Sequence, residues 1–465
     1  MRPFGSYDPA APSARLRQGQ AERLRTAAML TWLAMTPAFA FIRQRSGFIL
    51  GWRAAAAAGA ALASGESAGA VGSLDRPALG SWMMLPDLTT PATRTVLPMN
   101  DSLYGASHLE LDRQGPMVLA VPADDSGRYF SVGVMDGHFC NVAHLGPRWT
   151  GAGAFEALLV PPGWEGVAPD GMRVIESPTA SVCLLHRALV DYEPGDIERV
   201  RAWRDGFDIR PLHGPLVEVE TSDLVHPDGA TLADPWRFFE IGRDHLRRNP
   251  LPDPAHWALH LADTDELLDA RSDPALAAAV EEGVAAAQAM VDECLTAWPR
   301  DNGWMLPRPW IGRPNPHVLE TAALALFQVG SNDLGEAAYF FGDLDSEGQP
   351  LDGAGGSVYR LSFSADRQPP VRPEGFWSVT MYGPDSLLVT NAIDRYSTRV
   401  SRPGFVRDPD GATTITLASR LPDGVPEANW LPAPEGPFRL GLRLYYPGGD
   451  VAEGTWIPAA PRRVS

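Results

Sequence analysis

The chain has 465 residues, of which 45% are hydrophobic and 21% are charged, so it is long enough for two or three domains with full cores. Its formal net charge of −18 argues against nucleic acid as a partner, because an acidic surface repels phosphate. The chain contains no lysine, which excludes Schiff-base chemistry, a phosphate-loop lysine and a Ser-Lys dyad.

The pattern of helical and strand-forming segments divides the chain into five parts. We predict an α+β fold with two β-sandwich or jelly-roll-like domains bridged by a helical segment. The predicted parts are a mobile N-terminal segment (1–25), a helical entry (26–94), an N-terminal β domain (95–215), a helical bridge (216–335) and a C-terminal β-sandwich domain (336–465).

An apolar stretch at residues 27–42 allows two interpretations. It follows two arginines and contains A-F-A, as secretory signals do, but Glu22 and Pro37 interrupt that pattern. We therefore predict that residues 33–41 form a helix packed on the N-terminal β domain of a cytoplasmic protein. Export with cleavage near Phe41 is the alternative. The stretch is too short and too interrupted for a stable membrane span.

Four further helices and two sets of strands follow from local signals. Asp234 and Asp273 each precede a proline, so both are expected to cap a helix N-terminus. The alternation in R-L-G-L-R-L-Y predicts a strand with one apolar face and one arginine-bearing face. The predicted helices span residues 196–205, 235–248, 275–298 and 316–330.

The three cysteines do not form a disulfide or zinc pattern. No C-x-x-C is present, and Cys183 lies in an apolar run that predicts a buried strand. His138 and His144 flank Cys140, but their spacing provides no helical face for a metal. We therefore predict no metal site and no organic cofactor.

Two groups of segments place polar residues at the ends of strand-like runs. They are P-M-N-D-S-L-Y at 98–104 and F-W-S-V-T-M-Y-G at 376–383, the latter followed by N-A-I-D-R-Y-S at 391–397 and A-N-W-L-P at 428–432. Together they resemble a bacterial family built from two adjacent domains of unknown function, numbered twelve-fifty-four and twelve-fourteen. The resemblance extends from about Thr31 to Val464. It implies the fold and a set of candidate positions, and it implies no reaction.

The first motif offers groups that can exchange protons. Asp101 supplies a carboxylate and Tyr104 a phenol, with Asn100 and Ser102 beside them as substrate-binding candidates. These residues also suit a turn, in which Asn and Asp side chains bond to their own backbone.

A second set of candidates follows in the N-terminal domain. Arg128 and Asp136 are predicted to share one face of a strand and are catalytic candidates, with Tyr129 as a substrate-binding residue. An arginine in a cleft binds an anionic or carbonyl oxygen, but a structural arginine–carboxylate pair explains the same residues equally well. Arg187, a further substrate-binding candidate, has the same ambiguity.

The C-terminal motifs place aromatic residues beside polar ones. This combination suits stacking on a sugar or an apolar ring, although core packing explains the tryptophans equally directly. The substrate-binding candidates are Trp377, Asn391, Arg395, Tyr396 and Trp430.

The chain lacks G-x-S-x-G, a dinucleotide-binding glycine motif, a phosphate loop and H-E-x-x-H. We expect an enzyme that uses acid–base chemistry, as a hydrolase, lyase or isomerase, on a small or mid-sized organic substrate in an inter-domain cleft. The alternative is a non-catalytic protein of the cell envelope that binds a small molecule or carbohydrate. A homo-oligomer is compatible with either hypothesis.

Overall fold

The computed structural model describes residues 10–62, 78–93, 96–221 and 227–465. Nine strands form the N-terminal β region. They are β1 (Met83–Met84), β2 (Ser102–Glu110), β3 (Met117–Val121), β4 (Phe130–Asp136), β5 (Asn141–Leu145), β6 (Phe155–Val160), β7 (Arg173–Glu176), β8 (Ser181–Leu189) and β9 (Asp208–Pro211).

These strands form two sheets that pack face to face. One has the order β1-β2-β8-β4-β5, and the other has the order β7-β6-β3-β9. Because successive side chains of a strand point to opposite faces, Leu103, Val132 and Leu184 of the first sheet meet Leu119 and Leu159 of the second in one core. The other face of the first sheet therefore remains available to the rest of the molecule.

In the described residues, ten helices lie before, within and after the β regions. They are α1 (Ala10–Leu62), α2 (Leu111–Gln114), α3 (Pro147–Thr150), α4 (Asp196–Arg204), α5 (Gly229–Ala233), α6 (Pro235–Leu246), α7 (Thr264–Asp269), α8 (Pro274–Thr296), α9 (Val318–Phe327) and α10 (Gly449–Ala452). Short 3₁₀ turns occur at Asp253–Leu259, Ala270–Ser272, Ala354–Gly356 and Glu427–Asn429.

The long helix α1 contains the ambiguous apolar stretch. Leu33 and Phe41 are both buried within it, which confirms a packed helix over residues 33–41. The helix begins at Ala10, whereas the sequence predicts mobility throughout residues 1–25. Residues 1–9 of the predicted mobile segment and residues 63–70 of the predicted helical entry lie outside the described residues.

Helix α1 packs on α6, α8 and α9 through a core that includes Trp32, Phe238 and Val284. A Cβ atom at Gly283 would lie 2.2 Å from the carbonyl oxygen of Arg25, so only glycine lets α1 and α8 approach this closely. The predicted caps are confirmed, since the carboxylates of Asp234 and Asp273 accept hydrogen bonds from the first backbone amides of α6 and α8.

Ten strands form the C-terminal β region. They are β10 (Arg300–Asp301), β11 (Trp304–Met305), β12 (Ala337–Gly342), β13 (Tyr359–Phe363), β14 (Val371–Tyr382), β15 (Ser397–Thr398), β16 (Thr413–Ala418), β17 (Trp430–Pro432), β18 (Arg439–Pro447) and β19 (Arg462–Arg463).

Two sheets again share one core. The orders are β10-β11-β12-β18-β14-β15 and β17-β16-β13-β19. Phe340, Val379 and Leu442 of the larger sheet pack against Leu361 and Ile415 of the smaller one. The other face of the larger sheet lies against the N-terminal region, where the rings of Tyr129 and Tyr445 are 4.7 Å apart.

The molecule therefore contains two inner sheets that face each other, two outer sheets and a helical layer. The α+β fold with two β-rich regions is confirmed, and the jelly-roll connectivity stays a prediction. Among the helices of the described ranges, none combines the length and apolarity that crossing a bilayer requires.

Candidate functional site

The inner N-terminal sheet directs an arginine and two phenols at the C-terminal domain. Arg187 on β8 is paired in register with Tyr104 on β2. Its guanidinium lies 5.9 Å from the centre of the Tyr104 ring. Tyr129, just before β4, is buried and reaches the same interface. The alternation of β8 places Val182 and Leu184 in the core and leaves Arg187 on the opposite face.

The inner C-terminal sheet contributes a second arginine. Gly441, Arg443 and Tyr445 share one face of β18, while Leu440, Leu442 and Leu444 fill the core on the other face. Tyr339 on β12 is paired in register with Arg443. The predicted apolar face of this strand is thus confirmed, and its arginine-bearing face is also buried.

We call Arg187, Arg443, Tyr104, Tyr339 and Tyr445 the arginine–tyrosine cluster. Both guanidinium groups interact electrostatically with the same three phenols, so the five side chains form one group between the inner sheets. The ring of Tyr382 lies 5.6 Å from the guanidinium of Arg443 and closes one side.

The two arginines of the cluster bond only to uncharged acceptors among the described residues. Arg187 donates to Asn332 Oδ1 at 3.0 Å and to the carbonyl of Gly330 at 2.9 Å. Arg443 donates to the carbonyl of Leu97 at 2.8 Å and to Thr380 Oγ1 at 3.3 Å. No described carboxylate lies within 4.0 Å of either guanidinium group, although only 6% of Arg187 and 3% of Arg443 is exposed.

The tyrosines of the interface do not neutralise these charges. Burial raises the pKa of Tyr445 and of Tyr129 well above the usual value, and it raises that of Tyr339 as well. Burial also raises the pKa of Tyr382 to about 12, despite the opposing charge of Arg443. These phenols are uncharged near pH 7, so the cluster keeps its two positive charges.

Tyr104 differs from the other phenols because its side chain is partly exposed. Its neighbours Leu103 and Gly105 on β2 are buried, and Leu103 packs in the core between the two N-terminal sheets. Among the five residues of the cluster, Tyr104 is therefore the one that solvent reaches.

Asp101 forms a second contact between the domains. Its Oδ1 atom accepts a hydrogen bond of 2.8 Å from Ser397 Oγ and lies 3.9 Å from Arg399 Nη1. Arg399 also bonds to Asp191 Oδ1 at 2.9 Å and stacks on the ring of Tyr192 at 4.3 Å. Within the described residues, Asp101 Oδ2 and Arg399 Nη1 are buried without a hydrogen-bond partner.

Arg128 and Asp136 do not join this site. Arg128 lies before β4 rather than on it, and its guanidinium bonds to both carboxylate oxygens of Asp196 at 2.9 and 3.0 Å. Asp136 lies at the far end of β4, where its Oδ1 accepts the backbone amides of His138 and Cys140. Burial raises the pKa of Asp136, although its hydrogen bonds and His138 oppose this. Both residues have structural partners, and the expectation of a shared strand face is wrong.

Asn100 and Ser102 flank the site without pointing a free polar group at it. Asn100 Nδ2 donates to the carbonyl of Thr89 at 2.5 Å. Ser102 is fully buried, and its hydroxyl lies 3.5 Å from the sulfur of Met99. Asn100 therefore has a structural partner eleven residues away in the chain rather than in its own turn.

The candidate tryptophans Trp377 on β14 and Trp430 on β17 are both buried. Trp377 packs in the core, with its ring 5.3 Å from that of Phe363. Trp430 is buried at β17, and its indole donates to the carbonyl of Ala418 at 2.8 Å. Core packing explains both residues.

The candidates between the two tryptophans stabilise a loop. Asn391 accepts the backbone amide of Arg395 and donates to its carbonyl. Arg395 forms an ion pair of 2.8 Å with Glu427. Tyr396 borders the interface but donates its hydroxyl to Asp394 Oδ1 at 2.7 Å.

The sequence interpretation missed Arg443, Tyr339, Tyr445 and Arg399 as parts of the interface. The clean alternation in β18 was the one usable signal, because it shows arginine and tyrosine repeating on a single face. Cys183 is buried as predicted. In the parts of the chain that the structure describes, no group of three or more His, Cys, Asp or Glu residues could hold a metal ion.

A polar groove lies away from this interface, on the outer C-terminal sheet. It has a volume of about 880 Å³ and is lined by hydroxyl and charged groups, among them Arg360, Ser362, Asp408 and Thr414. The polar groups of its wall bond to each other, as Ser362 does to Thr414 and Thr414 to Asp408. None of the predicted site residues lines it, so we place the site at the interface on the basis of charge and burial.

Two family models match the chain. Residues 80–211 match "Protein of unknown function (DUF1254)", and residues 336–449 match "Protein of unknown function (DUF1214)". The chain therefore belongs to the family in which these two domains follow each other. The inner N-terminal sheet lies within the first matched region, and the second contains strands β12, β14, β15 and β18 of the inner C-terminal sheet.

One solved structure has the same fold, and its description names no function. The VPA0106 protein from Vibrio parahaemolyticus is 20% identical, with a TM-score of 0.65 over 96% of this chain and 100% of that one. A putative uncharacterized protein from Burkholderia cenocepacia is 13% identical, with a TM-score of 0.43 over 100% of this chain and 91% of that one. The first likeness shows the fold alone, and the second carries no argument. No curated protein matches the chain.

Proposed function

We propose that the protein is an enzyme that acts by acid–base chemistry on a small or mid-sized organic molecule bound between its inner sheets. The observation that carries this proposal is a partly exposed phenol, Tyr104, beside two buried guanidinium groups that lack carboxylate partners among the described residues. Fixed positive charge in a water-poor site stabilises negative charge that develops on a substrate during reaction.

Tyr104 and Asp101 are the groups that would exchange protons with the substrate. Tyr104 is partly exposed, and its ring centre lies 5.9 Å from the guanidinium of Arg187. Asp101 has one carboxylate oxygen held by Ser397 and the other without a hydrogen-bond partner among the described residues. A carboxylate, a phenol and guanidinium groups together suit hydrolysis, elimination or isomerisation without an organic cofactor.

The test uses the whole protein and a metabolite extract of its host. Wild-type protein and the Tyr104→Phe variant are each incubated with the extract, and untargeted mass spectrometry follows every compound. The control is Tyr359→Phe, which removes a phenol bonded to the backbone of Asp352 in the outer core. The proposal expects a compound that wild type and the control consume and Tyr104→Phe does not. Consumption by none of them, or equally by all three, rejects it.

The second candidate function is non-catalytic binding at the same interface by a small-molecule or cell-envelope binding protein. It is favoured by the partners of Asp101, because Ser397 and Arg399 would hold this carboxylate as a clasp between the domains. In this case a compound from the extract would be retained unchanged by the protein. We also propose a cytoplasmic location, a homo-oligomer and jelly-roll connectivity, each of which is an expectation from the sequence.

A further inference from the structure

We infer that the molecule bound between the inner sheets carries a carboxylate, which Arg187 and Arg443 hold. This inference names the ligand class of the site and rests on the proposed function for the site's location. It does not require that the ligand be turned over.

First, Arg187 and Arg443 are two buried positive charges. A buried cationic group is strongly disfavoured unless an anion or a full set of hydrogen bonds compensates it. Arg187 and Arg443 are each buried, and the acceptors of their hydrogen bonds are carbonyl, amide and hydroxyl oxygens. Among the described residues no carboxylate is within ion-pair distance of them, so an anion from outside would supply the missing charge.

The second step concerns hydrogen bonds. A guanidinium group has five N–H donors arranged as a planar fork that matches a carboxylate. Arg187 has two acceptors, and Arg443 has three when the hydroxyl of Tyr382 is included, so N–H donors remain in both groups. Both arginines interact electrostatically with Tyr104. Tyr104 is partly exposed, and its hydroxyl adds a further donor.

The third step concerns the walls of the site. Tyr339, Tyr445 and Phe341 surround the two guanidinium groups with aromatic surface. Phe376 stacks on Tyr445 with ring centres 4.7 Å apart and extends this surface. A small organic carboxylate with an apolar body therefore fits the surroundings better than a strongly hydrated inorganic anion does.

The fourth step excludes a general property of the chain. The protein has a formal net charge of −18, so an excess of positive charge in its interior is local. Arg128 has a carboxylate partner in Asp196 at 2.9 Å. Arg204 is also buried and donates to the backbone carbonyls of Tyr104 and Leu85, with no carboxylate within 4.0 Å among the described residues. The arginine–tyrosine cluster differs from both because two buried arginines without a carboxylate share the same phenols.

The experiment is isothermal titration calorimetry of the full chain with acetate, benzoate and succinate at constant ionic strength. Acetamide, benzamide and succinamide are the matched neutral probes. We expect at least one carboxylate to bind with one site per chain and at least tenfold more tightly than its amide. Arg443→Gln should weaken that binding at least tenfold. Arg420→Gln, at a side chain that is 90% exposed, removes the same charge and should leave binding unchanged.

Three results would overturn the inference: no carboxylate binds, the amides bind equally well, or Arg443→Gln binds like wild type. If Arg443→Gln does not fold, the comparison of carboxylates with amides on wild-type protein still decides. Binding without turnover of any compound in the metabolite extract would reject the proposed catalysis and leave the inference intact. Turnover of an uncharged compound without carboxylate binding would do the reverse.

Discussion

Two sets of buried arginines in this molecule meet opposite conditions. The side chain of Arg128 is 8% exposed, and its guanidinium forms ion pairs with Asp196 at 2.9 Å and with Asp124 at 3.5 Å. Arg187 and Arg443 are buried to a similar degree and have uncharged partners among the described residues. Carboxylates of the protein itself compensate the charge of Arg128, although its Nε has no hydrogen-bond partner among the described residues. Arg187 and Arg443 keep positive charges without a carboxylate partner there, and the proposed binding role of these two arginines rests on this difference.

The largest effect is expected on turnover. Asp101→Asn and Tyr104→Phe each remove a proton-exchanging group and should slow the reaction by about two to four orders of magnitude. The measurement is kcat/KM with the compound that the metabolite extract identifies, after circular dichroism has established folding. A folded variant that turns over like wild type would remove that residue from the proposed site.

The stability of the two arginine sets should also differ. Asp196→Asn leaves the buried guanidinium of Arg128 without its main partner and should cost about 3–5 kcal/mol in the free energy of unfolding. Arg443→Gln removes a charge that has no carboxylate partner among the described residues, so its cost should be smaller. Urea unfolding of both variants measures this difference. Equal losses would mean that the cluster arginines are structural too.

Buried histidines provide a third case, in which a basic group is kept uncharged. Burial, with smaller contributions from neighbouring positive charges, lowers the pKa of His108 to about 3 and that of His245 to about 3. It lowers the pKa of His186 well below 6.5. In the unfolded chain these groups bind protons near pH 6.5, whereas in the folded chain they do not.

The contribution of these histidines to the free energy of unfolding should therefore be complete above about pH 6.5 and decrease as the pH drops towards 3. Each of these histidines contributes up to about 1.4 kcal/mol per pH unit in that window. Urea unfolding at pH 7, 6 and 5 measures the slope. His108→Phe should reduce it, and His213→Asn, at an exposed position, should not. A slope that is the same in all three proteins would contradict the assignment.

The smallest effect concerns the position of Arg443. A Cβ atom at Gly441 would lie 2.9 Å from Tyr382 Cε2 and 3.2 Å from Arg443 Nη1. Gly441→Ala should cost about 1 kcal/mol by overpacking and weaken the binding of the best carboxylate by displacing the guanidinium group. Gly153→Ala, at a position with no atom within 4 Å of the added Cβ, is the control. Unchanged carboxylate binding in Gly441→Ala would place the ligand elsewhere.

Local signals predicted the elements of the fold well. Asp234 and Asp273 indicated where their helices begin, because an N-cap side chain accepts hydrogen bonds from amides two and three residues away. The leucines of β18 indicated which of its faces packs in the core, because side chains alternate between the two faces of a strand. Such signals depend on neighbouring residues and are therefore visible in a sequence. Helix α1, which begins earlier than predicted, depends instead on packing against α8 and α9.

The site depends on distant contacts, and the sequence predicted it only in part. Asp101, Tyr104 and Arg187 lie at the domain interface, but Arg128 finds its partner 68 residues away in Asp196. Arg443 was not recognised because nothing near it in the chain indicates that Arg187 and Tyr104 lie opposite. The pairing of two sheets from separate domains determines which arginine has a carboxylate and which has none.

The central claim is that the two cluster arginines bind a carboxylate from outside the chain. Crystals of the wild-type protein soaked with 4-bromobenzoate, and measured at the bromine absorption edge, locate the bound ring directly. We predict an anomalous peak between the inner sheets, with the carboxylate in hydrogen-bond contact with Arg187 or Arg443. Bromine found only on the outer surface, including the 880 Å³ groove, or at no ordered position would contradict the claim.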